Sequence, residues 1–169
     1  AAVKLGMEVH GYDPYISVTA AWGMSKWVQK ASSVEEIFKE CDYITIHVPA
    51  NGETEGMINE KSINMMKSGV HIINFARGSL VNTKDMIDAL KKGKVARYIT
   101  DFGDETLAHT ENAVVMPHLG ASTPESEQNC AKMAVEELRE YLENGNIKNI
   151  EKIQELLSSN NYSVTFEVI

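Results

Sequence analysis

Cysteine, excess basic charge and long apolar runs are all scarce in this sequence. Its 169 residues include two cysteines, Cys41 and Cys130, which we expect to be free thiols in a reducing compartment, the cytoplasm. There are 16 Lys and Arg against 24 Asp and Glu, a formal net charge of -8, which argues against nucleic acid or an anionic membrane as a partner. No stretch approaches the roughly 18 apolar residues of a membrane span, and no metal site is predicted.

Glycine is missing from one specific arrangement. No two of the 11 glycines stand one residue apart, so the sequence contains no G-x-G-x-x-G phosphate-binding loop. Residues 1–13, AAVKLGMEVHGYD, nevertheless have the pattern of a helix end, a strand and an acidic residue, which is the second half of a dinucleotide-binding unit. We therefore expect the first strand and the glycine loop to precede residue 1, and the 169 residues alone to be inactive.

What the sequence does contain is an alternation of short β-rich runs with amphipathic helical stretches. The predicted strands are 8–13, 43–49, 71–76, 97–102 and 113–117, and the predicted helices are 33–41, 59–67 and 83–92. Strands that are nearly continuous in apolar residues and separated by helices are typical of a parallel sheet. We predict an α/β fold, a doubly wound Rossmann-type sheet that lacks its first strand and glycine loop.

Three further predictions concern the connections and the helix ends. The last two strands have no helical pattern between them, so we expect a loop there. A long helix then follows, with Thr123 as its N-cap, Pro124 as its first residue and Gly145 at its end. Asn82 is the predicted N-cap of the helix at 83–92.

Each predicted strand ends in, or is followed by, residues that can carry chemistry. In open α/β sheets, ligands bind outside the carboxyl ends of the strands, so these positions are the candidate site. In chain order they are Asp13, residues 47–49, Arg77, Asp101 with Phe102, and His118.

Each of these side chains also has a simpler interpretation. Asp13 suits a nucleotide ribose, but an Asp before a proline also favours a local turn. Arg77 suits a substrate carboxylate, but a strand-end arginine is often only solvated. His118 is a candidate general acid/base, whereas a lone histidine is more often structural. Glu105 is a candidate to orient that histidine, with Asp104 as the alternative.

Four motifs resemble one known family. They are LGMEVHGYDPY at 5–15, INFARGSLVN at 73–82, MPHLGASTPESEQNCAKMA at 116–134 and EYLENGNIKN at 140–149. Through them, residues 1–149 resemble part of the NAD-binding domain of the D-isomer-specific 2-hydroxyacid dehydrogenases. The resemblance implies NAD-dependent oxidation of a D-2-hydroxy acid. Within the family, the motifs are most similar to those of enzymes that convert 3-phosphoglycerate to 3-phosphohydroxypyruvate, the first step of serine biosynthesis.

The resemblance also assigns roles to individual residues. Arg77 corresponds to the residue that holds the substrate carboxylate and His118 to the acid/base. Glu105 corresponds to the glutamate that polarises the histidine, although the family spacing D-V-F-x-x-E is one residue shorter here. The residues that correspond to cofactor contacts are Asp13, His47, Val48, Pro49, Phe75, Ala76, Arg77, Asp101, His118, Gly120 and Ala121.

The last segment and the partners complete the predictions. Residues 150–169 have the pattern of a helix and a strand, and they resemble part of a small ACT regulatory module. The family resemblance implies a phosphorylated small-molecule substrate and a homodimer.

Two other functions stay open, a nucleotide-sensing interaction protein on the same fold and an inactive fragment of a cofactor domain. The presence of Arg77, a carboxylate and His118 together favours the enzyme.

Overall fold

The computed structural model describes residues 1–120 and 122–145. The chain divides into one unit at Ala1–His118 and a second that begins at Leu119. The predicted boundary at 149 and the predicted tail at 150–169 therefore lie outside the described residues. None of the described helices is long and apolar enough to cross a membrane.

Six strands form in the first unit, and all of them pair in parallel. They are β1 (Val9–Gly11), β2 (Val28–Lys30), β3 (Tyr43–Ile46), β4 (Val70–Asn74), β5 (Val95–Thr100) and β6 (Ala113–Val115). β1 pairs with β2, and a second sheet has the order β3-β4-β5-β6. This confirms the predicted α/β fold and its parallel sheet. The strands fall in two sheets rather than one, because β1 and β3 share no ladder within the part of the chain that the structure describes.

Six α-helices connect or follow these strands in the described residues. They are α1 (Val18–Trp22), α2 (Val34–Glu40), α3 (Glu60–Met65), α4 (Thr83–Lys91), α5 (Glu105–Ala108) and α6 (Pro124–Asn144). The two predicted N-caps are confirmed, since Asn82 accepts a hydrogen bond from the Asp85 amide and Thr123 accepts one from the Ser126 amide. α6 ends at Gly145, whose φ of 67° is the left-handed conformation typical of a helix C-terminus.

Three elements differ from the sequence predictions. β2 and α1 were not predicted, because a three-residue strand and a five-residue helix are too short to show a hydrophobic period. The connection between β5 and β6, predicted to be a loop, contains α5. That single turn is started by Asp104, whose carboxylate accepts a hydrogen bond from the Leu107 amide at 2.7 Å.

The core lies on one face of the four-stranded sheet. Side chains alternate in burial along β4, so that Val70, Ile72 and Asn74 are buried and the two residues between them are half-buried. Helix residues complete the core, among them Phe38, Ile63 and Met86. This packing fixes the strands and so fixes where their carboxyl ends stand.

Candidate functional site

The carboxyl ends of β5 and β6 bring Asp101 and His118 together. Thr100, the last residue of β5, pairs with Val115, the last residue of β6. The ladder continues by one bond, from the Met116 amide to the Thr100 carbonyl oxygen at 2.9 Å. Asp101 follows this pair on one strand and His118 follows it on the other, so both side chains stand at the same edge of the sheet.

Asp101 and His118 form a hydrogen-bonded pair. Nδ1 of His118 lies 2.9 Å from Oδ2 of Asp101, and the side chains are 56% and 16% exposed, respectively. An ionised carboxylate only accepts hydrogen bonds, so Nδ1 carries the proton in the neutral imidazole, and Nε2 has a free lone pair. The pair therefore presents a base at the strand ends.

Phe102 packs against the face of this imidazole. The two ring centroids are 4.5 Å apart and the rings are tilted by 42°. The Phe102 amide donates to Oγ1 of the fully buried Thr100 at 3.0 Å, which sets the direction of the chain at this point. Phe102 is also close to Gly78, where an added Cβ atom would lie 3.1 Å from the Phe102 Cβ. Phe102 thus packs on the histidine and lies close to the residue after Arg77.

Arg77 is exposed and lies three residues beyond the end of β4. Its Nη1 donates to the carbonyl oxygen of Ala76 at 2.7 Å. The backbone around it is held by Asn74, which is fully buried. Asn74 Nδ2 donates to the Arg77 carbonyl oxygen at 2.9 Å, and its Oδ1 accepts from the Ala76 amide at 3.1 Å. Asn74 therefore holds the backbone of the segment that carries Arg77.

Asn74, which bonds to the backbone after β4, was not among the sequence predictions, whereas Phe102 was named with Asp101 at a strand end but without its contact to His118. A signal was available for Asn74, since it is a polar residue at the end of an otherwise apolar strand and a buried amide must find partners. It also donates weakly, at 3.4 Å, to the Tyr98 hydroxyl, and burial raises the pKa of that phenol. No comparable sequence signal identified the contact between Phe102 and His118.

The two carboxylates predicted to orient His118 are engaged elsewhere or exposed. Asp104 caps α5, and Glu105 is the exposed first residue of that helix. In the described part of the chain, the hydrogen bond of the imidazole goes to Asp101 instead of either one. The role of Glu105 beside His118 therefore stays a prediction, with Glu105 exposed on the first turn of α5 in this structure.

The remaining predicted cofactor residues occupy strand ends or the second unit. Asp13 is exposed beyond β1, and its Oδ1 accepts from the Tyr15 amide at 2.9 Å, which is the local turn considered above. After β3, Nε2 of His47 lies 2.9 Å from the Thr45 hydroxyl, Val48 is half-buried, and Pro49 is exposed. Gly120 is exposed in the second unit, and Ala121 lies outside the described residues.

The residues present fit a nicotinamide dinucleotide. Oδ1 of Asp101 is buried and has no hydrogen-bond partner among the described residues, so a ligand donor at the strand ends would satisfy it. The exposed carboxylate of Asp13 can accept from ribose hydroxyls. Phe75, 43% exposed after β4, offers an apolar surface for a ring.

One group of metal-ligating side chains comes together elsewhere in the described residues. It consists of His10 on β1 with Glu36 and Glu40 on α2, whose ligand atoms all lie within 4.8 Å of one another. Oε2 of Glu36 already accepts the Ser32 amide at 2.8 Å, in the manner of a helix-capping carboxylate. The group is distant in sequence from Asp101 and His118 and takes no part in the site above.

Sequence comparison identifies relatives along most of the chain. The family model described as D-isomer specific 2-hydroxyacid dehydrogenase, NAD binding domain, matches residues 1–120. D-3-phosphoglycerate dehydrogenase from Methanocaldococcus jannaschii is 34% identical over 147 residues, which are 83% of this chain and 28% of that protein. Hydroxypyruvate reductase from Blautia hydrogenotrophica is 33% identical over 158 residues, 89% of this chain and 48% of that protein. The chain thus spans less than half the length of these relatives.

Solved structures give the same grouping. The D-isomer specific 2-hydroxyacid dehydrogenase from Lactobacillus delbrueckii ssp. bulgaricus, in its NAD complexed form, matches with a TM-score of 0.70. Sequence identity is 26%, and the match covers 87% of this chain and 49% of that one.

Proposed function

Because the chain belongs to the D-isomer-specific 2-hydroxyacid dehydrogenases, as an NAD-binding domain of that family, we propose that the protein carrying it oxidises a D-2-hydroxy acid with NAD. The observation that carries this proposal is the imidazole of His118, which is hydrogen-bonded through Nδ1 to Asp101 and has a free Nε2. Phe102 packs on this imidazole and lies close to Gly78, the residue after Arg77.

In this proposal the chain's residues orient the hydroxy acid and move its proton. NAD, when bound, supplies the nicotinamide carbon that accepts the hydride. The Arg77 guanidinium holds the substrate carboxylate by two parallel hydrogen bonds, after leaving the Ala76 carbonyl oxygen. As the hydride leaves C2, Nε2 of His118 takes the proton of the C2 hydroxyl, so the products are a 2-oxo acid and an imidazolium. In the reverse reaction His118 returns that proton.

The cofactor contacts are part of the same proposal. They come from the carboxyl ends of successive strands, which is where open α/β sheets bind dinucleotides. The residues after these strands are Asp13, His47, Val48, Pro49, Phe75, Ala76, Arg77, Asp101 and His118, and the family resemblance alone adds Gly120 and Ala121.

We further propose 3-phosphoglycerate as the preferred substrate, in the first step of serine biosynthesis, with a cytoplasmic homodimer as the active species. Support comes from the similarity to the M. jannaschii D-3-phosphoglycerate dehydrogenase and from the motifs quoted above. The similarity to a hydroxypyruvate reductase at nearly equal identity means that the substrate must be measured.

The test is an assay of NADH formation by the whole protein with a panel of D- and L-2-hydroxy acids. We expect turnover of D-isomers, with the highest kcat/KM for 3-phosphoglycerate against D-glycerate and D-lactate. NADH binding without turnover of any D-2-hydroxy acid would reject the enzyme and favour a nucleotide-sensing protein. A higher kcat/KM for an unphosphorylated acid would reject only the substrate.

Replacing Arg77 with lysine should impair catalysis although it keeps the charge. A point ammonium cannot reproduce the planar two-bond contact with a carboxylate, so we expect kcat/KM for the hydroxy acid to fall about 10- to 100-fold. NADH affinity, measured by fluorescence titration, should change little. Arg97→Lys is the matched control, because Arg97 is an exposed arginine within β5. Equal losses in the two variants would show that Arg77 has no specific role.

Asp13 should make the protein prefer NAD over NADP. Its carboxylate repels a 2′-phosphate, and the adjacent Tyr12, Pro14 and Tyr15 supply no cation to bind one. We expect Asp13→Asn to lower the NAD:NADP ratio of kcat/KM by about tenfold or more, equivalent to about 1.4 kcal/mol. Asp88→Asn, which removes an exposed carboxylate on α4, is the control. An unchanged ratio in Asp13→Asn would remove Asp13 from the cofactor site.

A further inference from the structure

We propose that His10, Glu36 and Glu40 bind a divalent cation, with Zn²⁺ as the best match, where side chains of β1 and α2 meet. The proposal goes beyond the proposed function, because these residues take no part in the site at the strand ends. The cation has a structural role in it, since it ties the strand that leads to Asp13 to a helix.

Two different elements supply the three ligands. His10 is the central residue of β1, and Glu36 and Glu40 both lie on α2. Two side chains with a spacing of i and i+4 lie on the same side of a helix. One ligand atom from each of the three residues lies within 4.8 Å of the other two. An imidazole from a strand and two carboxylates from a helix therefore converge on one point.

The imidazole of His10 has no hydrogen-bond partner in the part of the chain that the structure describes. Its side chain is 19% exposed, and Nε2 lies 3.6 Å from Oε1 of Glu8, which is beyond the length of a hydrogen bond. Ligand atoms stand about 2.0–2.2 Å from Zn²⁺, and therefore roughly 3.3 Å from one another in a tetrahedral site. A mostly buried ring with carboxylates near it, but none bonded to it, suits an ion that lies between them.

The two carboxylates of α2 differ in how firmly they are held. Oε2 of Glu36 accepts the Ser32 amide at 2.8 Å, and a hydrogen bond of this kind orients a metal-ligating carboxylate. Glu40 is the exposed last residue of α2, so its side chain can turn toward an ion. Among the described residues, no Lys or Arg forms an ion pair with Glu8, Glu36 or Glu40. A divalent cation would therefore neutralise charge that these carboxylates otherwise leave unbalanced.

The donor set determines which cation fits. One imidazole nitrogen and two carboxylate oxygens suit Zn²⁺, whereas Ca²⁺ and Mg²⁺ prefer oxygen ligands. Water completes the coordination at the fourth position. In the competing arrangement there is no metal, and a protonated His10 is balanced by the carboxylates around it.

The test is a calorimetric titration of the whole untagged protein with ZnCl₂, after a chelator has removed bound metal. His10→Asn and Glu40→Gln each remove one ligand, and Glu35→Gln is the matched control. Glu35 is also an exposed glutamate of α2, but it is not part of the group. A thermal scan without metal shows whether each variant is folded. Glu40→Gln changes an exposed side chain only, so the test does not depend on the stability of His10→Asn.

We expect Zn²⁺ to bind the unmodified protein and Glu35→Gln with affinities that agree within about twofold. The affinity should fall at least about tenfold in Glu40→Gln and in His10→Asn. Zn²⁺ should also raise the thermal midpoint of the unmodified protein, because the three ligands come together only in the folded chain. This rise should be absent in His10→Asn.

The proposal is overturned if the unmodified protein binds no Zn²⁺, which would leave His10 as a member of an ion-pair network. It is also overturned if all four proteins bind Zn²⁺ with the same affinity, since the ion would then lie at another site. Neither result bears on the oxidation of a hydroxy acid, because the measurement needs no turnover.

Discussion

Replacing His118 with asparagine is expected to lower kcat by about 10²- to 10⁴-fold in the protein that carries this chain. Asparagine retains a polar side chain beside Asp101 but has no group that can take the hydroxyl proton as the hydride leaves. The affinity for NADH should stay nearly constant, since the strand ends that surround the site are unchanged. Steady-state assays and a fluorescence titration with NADH measure the two quantities separately.

His109→Asn is the matched control for this prediction. His109 is also exposed and also uses Nδ1 in a hydrogen bond, to the carbonyl oxygen of Glu105. It stands at the end of α5 and is not part of the proposed site, so its replacement should leave kcat within about twofold. If His118→Asn kept kcat within tenfold of the unmodified protein, the acid/base role would have to be assigned to another residue.

Replacing Ile72 with alanine is expected to cost about 2–5 kcal/mol of the free energy of unfolding. Ile72 is fully buried at the centre of β4, where it pairs with Ile44 on one side and Tyr98 on the other. Removing its side chain leaves a cavity between the sheet and the helices packed on its face, which the surrounding structure fills only in part. The midpoint of urea unfolding, followed by circular dichroism, measures the loss.

Ile16→Ala makes the same chemical change on the surface, where Ile16 is 39% exposed. We expect its effect to stay within about 0.5 kcal/mol. Equal shifts of the two midpoints would mean that β4 is not at the centre of the core. The placement of Arg77 would then be in question too, because Arg77 follows the end of β4.

The fold was largely predictable because apolar strands and amphipathic helices leave a clear period in the sequence. The strand predicted at 71–76 illustrates the limit. In the structure it ends at Asn74, since the amide side chain bonds to the backbone of Ala76 and Arg77 and draws those residues out of the ladder. Hydrophobicity continues through Phe75 and Ala76, so the pattern alone extends the strand by two residues too many. β2 is too short to leave any pattern.

The candidate site could be located from sequence, but its pairing could not. Parallel strands collect their carboxyl ends at one edge, so chemically active residues after successive strands indicate a site. Which carboxylate bonds to His118 depends on how the chain turns after β5 and after β6, because Asp101 and His118 both lie beyond the ends of their strands. Spacing along the chain does not carry that information. Glu105 was therefore selected by the family resemblance, and its role stays a prediction, whereas the structure bonds His118 to Asp101.

The close approach of Phe102 to Gly78 has a consequence for how variants combine. Phe102 packs on the imidazole after β6 and lies close to the segment after β4, so a change at one position should alter the free-energy effect of a change at the other. Contacting residues commonly show coupling energies of about 0.5–3 kcal/mol, so losses at the carboxylate-binding and proton-transfer positions should not sum. In a double-mutant cycle, the deviation from additivity between Arg77 and His118 should shrink once Phe102 is reduced to alanine. Phe102 would thus couple the position that binds the substrate carboxylate to the position that transfers the proton.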